Sequence, residues 1–342
     1  MMIGTGVIGL GFMGRRYACF LNNTEGMKLA GVCDVRAELA VETGQELGCR
    51  VFPSYQDLTE SSEVKAVIVC TPEHLHLGPA LAAIEADKPV LIEKPVASSL
   101  EDARRISRAA AKGANMVLVG HLLRFEPRWV AAQRMIQSGR IGEIVSLASR
   151  RIGNLQDQDV LRGRTSIPLY YGVHDLDVLR WFTGSEATRI YSDRRFGVLS
   201  GAGFEVEDLY CAIINFDDGA LATAELGWHV PPGAAAAKTT GVSVVGTRGV
   251  IRVEQGETGI DVWADDGCVL RDTTFWPEAY GIPGGALSVE IRHFANCIRK
   301  GLPPAIGLDD AIEALRLALA MQRSAELGAP VDLKEFGRHD AG

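Results

Sequence analysis

Along the first 120 residues, short uninterrupted apolar runs alternate with longer stretches in which apolar side chains recur every three or four positions. The apolar runs Ile3–Leu10, Met27–Cys33, Val64–Cys70, Val90–Ile92 and Met116–Val119 read as strands buried on both faces. The stretches between them, Met13–Asn22, Arg36–Leu47, Leu75–Ala86 and Leu100–Lys112, read as helices. Strands that alternate with helices in this way predict a doubly wound parallel sheet.

Beyond Phe125 the pattern changes. Helices are predicted at Pro127–Ser138 and His174–Phe182. Extended runs then follow one another without helices between them: Thr188–Val198, Glu207–Phe216, Ala220–Trp228, Gly241–Val245, Val250–Val253 and Gly259–Ala264. Asp217-Asp218-Gly219 is a hairpin-turn signal between two of them. The second half is therefore expected to carry a large, mostly antiparallel open sheet. Two helices close it, at Ala286–Arg299 and Asp309–Leu327, the latter ending before Gly328 and Pro330. Ala234–Ala237 is the only low-complexity run and is assigned to a loop. The fold class is thus α/β with two domains, a dinucleotide-type domain over 1–122 and a second domain over 123–342.

Composition narrows the function classes. The 342 residues carry a net charge of −8, which argues against a nucleic-acid or anionic-membrane surface. Seven widely spaced cysteines with no C-x-x-C fit neither a disulfide framework nor a zinc knuckle. They are expected to be free thiols in a reducing cytoplasm. No secretory leader or membrane span is read in the sequence.

Two overlapping glycine fingerprints open the chain. The register Gly4–Gly9 leaves too little chain for a preceding strand. The register Gly9-Leu10-Gly11-Phe12-Met13-Gly14 has a strand before it and a helix after it, which dinucleotide binding requires. It also places Asp34 at the end of the next strand, 20 residues beyond Gly14, where a carboxylate meets the adenosine ribose. Gly9, Gly11, Phe12, Met13, Gly14 and Asp34 are therefore the expected cofactor turn. Asp34 favours NAD by repelling a 2′-phosphate, while Arg36 keeps NADP open.

Three further motifs follow parallel strands, on the edge where open α/β sheets bind ligands: Cys70-Thr71-Pro72-Glu73-His74-Leu75-His76, Glu93-Lys94-Pro95, and Gly120-His121-Leu122-Leu123-Arg124-Phe125-Glu126-Pro127. A lysine beside a cofactor can donate a hydrogen bond to a substrate hydroxyl and shift its pKa into the working range. The bland alternative for Lys94 is a surface pairing with Glu93. His74 and His76 lack a third ligand, so no metal is expected.

The order GLGFMG, CTPEHLH, ADKPVLIEKP, GHLLRFEP, GVHDLDVLRWFTG and the closing EIRHFANCIRKGLPP and DDAIEALRLALAMQRSAELGAPV resembles the glucose–fructose oxidoreductase / inositol dehydrogenase / rhizopine-catabolism (Gfo/Idh/MocA) family over nearly the whole chain. The resemblance implies a nicotinamide cofactor in the first domain, a second domain on an open sheet, and a substrate cleft between the two. It makes Lys94 the catalytic lysine, His174 its partner near the substrate, and Thr71, Pro72, His76 and Glu93 cofactor-pocket residues. One position departs: where dehydrogenases of the family commonly have aspartate, four residues before the histidine, this chain has Tyr170. A helical spacing would bring Tyr170 and His174 together. A phenol, however, ordinarily holds its proton up to a pH of about 10, so tyrosine is a poor base and is expected to orient rather than transfer protons.

His121, Arg124, Arg151 and Asp175 are the candidate substrate contacts. Arginines can hold an acidic sugar, although each is singly more often a salt-bridge residue. Three functions follow. The first is hydride transfer between a sugar or cyclitol secondary alcohol and nicotinamide. The second is a glycosidase-like reaction by transient oxidation, and the third a non-catalytic cofactor-binding regulator. The apolar run Leu209–Phe216, beside Ala220–Trp228, predicts a homodimer or homotetramer through the second sheet.

Overall fold

The computed structural model describes residues 2–113, 115–154, 161–201, 203–230, 239–254, 261–264, 267–270 and 272–337. The Ala234–Ala237 run and the start of the run Gly259–Ala264 lie outside the described residues.

The chain forms two compact units: residues 1–125 with 274–312, and residues 126–273 with 313–342. The pattern of apolar runs predicts a second domain continuous from 123 to 342. The first unit instead takes back a late segment, because the helix Gly285–Lys300 lays its apolar face against the helix Phe12–Leu21 and the turn Leu122–Phe125.

In the first unit, strands β1 (Ile3–Ile8), β2 (Met27–Cys33), β3 (Arg50–Val51), β4 (Ala66–Val69), β5 (Val90–Glu93) and β6 (Val117–Gly120) form one all-parallel sheet, in the order β3-β2-β1-β4-β5-β6. β1, β4, β5 and β6 are buried along their whole length, which is why they read as unbroken apolar runs. The order reverses between β1 and β4, the topological switch point at which open sheets of this kind bind ligands.

In the second unit, β7 (Ile144–Asn154), β8 (Ala187–Arg195), β9 (Leu209–Phe216), β10 (Leu221–Val230), β11 (Thr239–Gly246) and β12 (Gly249–Glu254) form a sheet ordered β12-β11-β7-β10-β9-β8, with the short strand Val331–Asp332 at its edge. Only β7 and β10 run parallel; the other pairs are antiparallel, as expected. Asp217-Asp218-Gly219 joins β9 to β10 as predicted, with Gly219 at φ 90°. β7 was not foreseen. One face of the sheet is dry: Leu147, Tyr210, Ile214, Ala222, Ala224, Leu226 and Val244 are buried. Ser192 is buried on that side too, its hydroxyl donating to Met321 O and its N–H to Ser324 Oγ on the last helix. No helix among the described residues is long and apolar enough to cross a membrane.

Candidate functional site

The glycine turn follows β1 at the switch point. Gly9 has φ 87°, and a Cβ there would stand 2.7 Å from the backbone of Cys70 and Thr71, so only glycine admits this approach of β1 to β4. A Cβ on Gly14 would stand 1.8 Å from Gly9 O, so the third glycine lets the helix lie on the strand. Gly11 is different: nothing lies within 4 Å of its missing Cβ. That space sits at the N-terminus of the helix Phe12–Leu21, which has no side-chain cap and no acid in its first turn. Uncapped N–H groups and open space together fit a diphosphate.

Asp34 is nearly buried, with 6% of its side chain exposed. Its carboxylate accepts from Leu10 N–H at 2.6 Å and from Arg36 N–H at 2.8 Å. The acid expected at the ribose also braces the glycine turn. Arg36 is 63% exposed, with Nε 3.3 Å from Asp34 Oδ1.

Across the switch point, the Thr71 hydroxyl is buried with no hydrogen-bond partner among the described residues, and the Thr71 N–H lies against Gly9 of the glycine turn. Pro72 precedes a short 3-10 turn, Glu73–Leu75. His76 was expected to donate into the cofactor pocket, and its placement is otherwise. The ring is buried, with Nδ1 2.9 Å from Pro95 O and Nε2 2.8 Å from Thr71 O. Burial holds its pKa below the usual histidine value. The neutral ring has one N–H and bonds one of the two carbonyls; with that hydrogen on Nδ1 it links the Thr71 loop, which carries His76, to the Lys94 loop through Pro95 O.

Glu93 ends β5 and Lys94 follows it, with the Lys94–Pro95 peptide cis. Glu93 is buried rather than at the surface, and its Oε2 accepts the Lys94 N–H at 3.0 Å. His121 is buried at the end of β6. Arg124 ion-pairs with Asp310 at 3.2 Å, with 7% of its side chain exposed, so it holds a carboxylate of its own unit.

Sequence reasoning missed two neighbours of the turn, Arg16 and Trp276. Phe12, 63% exposed, carries the Arg16 guanidinium 3.4 Å from its ring centroid and meets Trp276 edge-on at 5.6 Å. Trp276 lies some 260 positions away in sequence, beyond the reach of any local motif.

The second unit holds the remaining candidates. Tyr170 lies in a π-helical turn, Pro168–Gly172, immediately before the helix Val173–Thr183 that carries His174 and Asp175. The regular helical spacing assumed between Tyr170 and His174 is therefore interrupted. The Tyr170 ring packs at 5.0 Å from Tyr171 and 5.6 Å from Trp228. Asp175 is buried and accepts from Arg151 Nε at 2.5 Å. Burial pushes its carboxyl pKa up, and Arg151 opposes the shift. Arg151 and Asp175 thus pair inside the unit, as Arg124 and Asp310 do in theirs, while Arg151 Nη2 and Asp175 Oδ1 are buried with no hydrogen-bond partner among the described residues.

The parallel sheet of order 3-2-1-4-5-6, the uncapped glycine turn at its switch point and the acid ending the second strand define a dinucleotide-dependent oxidoreductase. Residues 3–121 match the Gfo/Idh/MocA "Oxidoreductase family, NAD-binding Rossmann fold", and residues 133–333 match its "C-terminal alpha/beta domain". The chain belongs to this family, and its cofactor is NAD. It is 30% identical over 340 residues, 96% of this chain and 92% of the other, to an inositol 2-dehydrogenase of Rubrobacter xylanophilus. It is 31% identical over 265 residues, 75% of this chain and 69% of the other, to the 2,7-anhydro-N-acetylneuraminate hydratase of Escherichia coli. Its fold superposes on scyllo-inositol dehydrogenase from Lactobacillus casei, solved with NAD(H) and scyllo-inositol, with a TM-score of 0.85 at 24% identity, covering 98% and 100% of the two chains.

Proposed function

We propose that the protein is an NAD-dependent dehydrogenase of a cyclitol or closely related sugar, oxidising a secondary alcohol. The observation that carries this is full-length similarity to an inositol 2-dehydrogenase together with Lys94 at the carboxyl end of β5, beside the switch point. NAD, when bound, supplies the hydride acceptor. Gly9, Gly11 and Gly14 with the N-terminus of the helix Phe12–Leu21 hold its diphosphate, Asp34 takes the ribose hydroxyls, and the Thr71 hydroxyl supplies a further hydrogen bond. Phe12, Met13, Pro72 and Glu93 shape that pocket. Lys94 and His174 handle the proton of the reacting hydroxyl, with Tyr170 orienting and His121 contributing to substrate binding. Arg124, Arg151 and Asp175 support their own loops and helices. A screen of inositols, aldoses and uronates with NAD and with NADP tests the assignment. Reduced NAD accumulating with a cyclitol supports it, and turnover with none of them refutes it.

The hydratase relative gives a second reading its observable, namely conversion of substrate without net release of reduced cofactor. Cys19, Cys33, Cys49, Cys70, Cys211 and Cys297 are free thiols, which suits a reducing cytoplasm.

Asp34→Asn keeps an oxygen for the Leu10 N–H and removes the charge. It is expected to narrow the preference for NAD over NADP by about tenfold, the scale of one like-charge contact of about 1–2 kcal/mol at a wet surface. Fluorescence titration of both cofactors checks this. An unchanged ratio, or a wild type that binds NADP more tightly, contradicts it.

Assembly follows from the open sheet's other face. Tyr191 and Ile213 are directly paired there, with Leu221 on the adjoining strand, each more than 40% exposed. Apolar side chains at neighbouring positions of a sheet mark an association surface. A homodimer or homotetramer through this face is expected, with Ile213→Asp shifting it to the monomer. Light scattering that gives the wild type the mass of one chain overturns the expectation.

A further inference from the structure

Behind the Glu93-Lys94 turn lies a buried polar cluster that the proton transfer above does not use. Tyr17 comes from the helix Phe12–Leu21, Glu93 from the end of β5 and Glu290 from the helix Gly285–Lys300. Tyr17 and Glu290 are wholly inaccessible, and Glu93 is 8% exposed. The phenolic oxygen lies 2.6 Å from Glu290 Oε2 and 3.1 Å from Glu93 Oε1. The other oxygen of Glu93 accepts the Lys94 N–H. Glu290 Oε1 has no hydrogen-bond partner among the described residues.

Counting hydrogens decides the charge state. A phenol has one hydrogen to donate, and both of its partners here are carboxyl oxygens, which only accept when ionised. One contact is served by the phenolic hydrogen. The other is a hydrogen bond only if that carboxyl keeps its own proton and donates it to the phenolic oxygen. Burial raises the Glu93 carboxyl as well, but the Lys94 charge and the Lys94 N–H on one oxygen oppose that rise and favour its anion. Among the described residues Glu290 has no cation acting on it and one oxygen without a hydrogen-bond partner. The chain therefore runs from the Glu290 acid O–H to Tyr17 Oη, and from Tyr17 O–H to the Glu93 carboxylate.

We propose that Glu290 is a neutral carboxylic acid at neutral pH and, with Tyr17, a positioning residue for the Glu93-Lys94 turn. One buried proton fixes the second oxygen of Glu93 as the Lys94 N–H fixes the first. The direction of titration agrees: burial first, then the Glu93 charge, pushes the Glu290 carboxyl up to about 8. Burial, then Glu290 and Glu93, raises the Tyr17 phenol well above its usual value, so it keeps its hydrogen. The remaining titratable group facing the pair is the Cys70 thiol, also raised by burial and so neutral.

The sign of the pH effect follows. An acid that holds its proton to about 8 when folded, and to 4.5 when unfolded, favours the folded chain fully below 4.5. That contribution is lost as pH rises between those values. Glu290→Gln has no proton to lose, and its amide can still donate to Tyr17.

Thermal unfolding of the wild type and Glu290→Gln across this range, without substrate, is the first test. The variant's Tm is expected to rise relative to the wild type as pH increases, levelling above about 8. A difference that does not change with pH, or falls, overturns the proposal. Infrared spectroscopy of the wild type keeps it testable if the variant does not fold. A neutral-carboxyl absorption should persist at neutral pH and fade as pH passes about 8, and its absence at neutral pH overturns the proposal.

The positioning part rests on the dehydrogenase reading and is read separately, as turnover with the cyclitol. Glu290→Gln should retain kcat at neutral pH within about threefold, whereas Glu290→Ala and Tyr17→Phe, which break the chain, should lose about tenfold with little change in NAD affinity. Native kcat in both broken variants overturns that part alone. A cyclitol inert with the wild type counts against the dehydrogenase reading and leaves the first two tests standing.

Discussion

Replacing Lys94 by alanine is expected to lower kcat by about 10²–10⁴-fold, the usual worth of a positioned acid–base group. Lys94 directly follows β5, its main chain held by Glu93 and its loop tied to the Thr71 loop through His76. Its side chain can therefore meet a substrate hydroxyl in a fixed place. NAD affinity should hardly change, because the glycine turn and Asp34 are left intact. The comparison is kcat, KM and NAD affinity for wild type and variant on the same cyclitol. His174→Ala should also slow turnover, and Tyr170→Phe should do so less. A Lys94→Ala enzyme with native kcat shows that the proton goes elsewhere. A Tyr170→Phe enzyme as damaged as His174→Ala promotes Tyr170 to a proton-transfer group.

The second large effect separates two glycines of one motif. Gly14→Ala puts a Cβ 1.8 Å from Gly9 O, which forces the helix Phe12–Leu21 off β1. Overpacking of this kind costs about 1–3 kcal/mol, and NAD binding should be lost with the displaced helix N-terminus. Gly11→Ala meets nothing within 4 Å, so the fold should stand, yet its methyl occupies the space left for the diphosphate. Its Tm should match the wild type while NAD affinity falls steeply. Thermal unfolding and NAD titration of both variants decide the matter. Tight NAD binding by Gly11→Ala contradicts the placement of the diphosphate, and native stability in Gly14→Ala contradicts the packing role.

What the sequence showed of this molecule depended on how local each signal was. β2 was bounded to the residue, and β1, β4, β5 and β6 to within two at either end, because strands buried on both faces are plain apolar runs. β3 has two residues, too few for any period. β7 was missed although it lies inside its sheet, between β11 and β10. Two of its inward positions are Ser149 and Arg151, and Arg151 is buried only because Asp175 neutralises it. That pairing, made 24 residues away, hid the alternation. The same contrast holds at the site. Gly9, Gly11, Gly14 and Asp34 are a motif of fixed spacing, and the motif was legible. That Asp34 also braces Leu10, that His76 bridges two loops, and that Tyr17 meets Glu290 across 273 positions are products of the fold.

The central claim is net hydride transfer from a carbinol carbon to NAD. It is tested most directly with a cyclitol deuterated at its carbinol carbons, incubated with NAD and the wild-type enzyme, with the cofactor then recovered for mass spectrometry. The account predicts reduced NAD that carries the deuterium, in an amount equal to the ketone formed. Substrate converted while the cofactor is recovered oxidised, with no deuterium in it, would contradict the account and point to a reaction that borrows and returns the hydride.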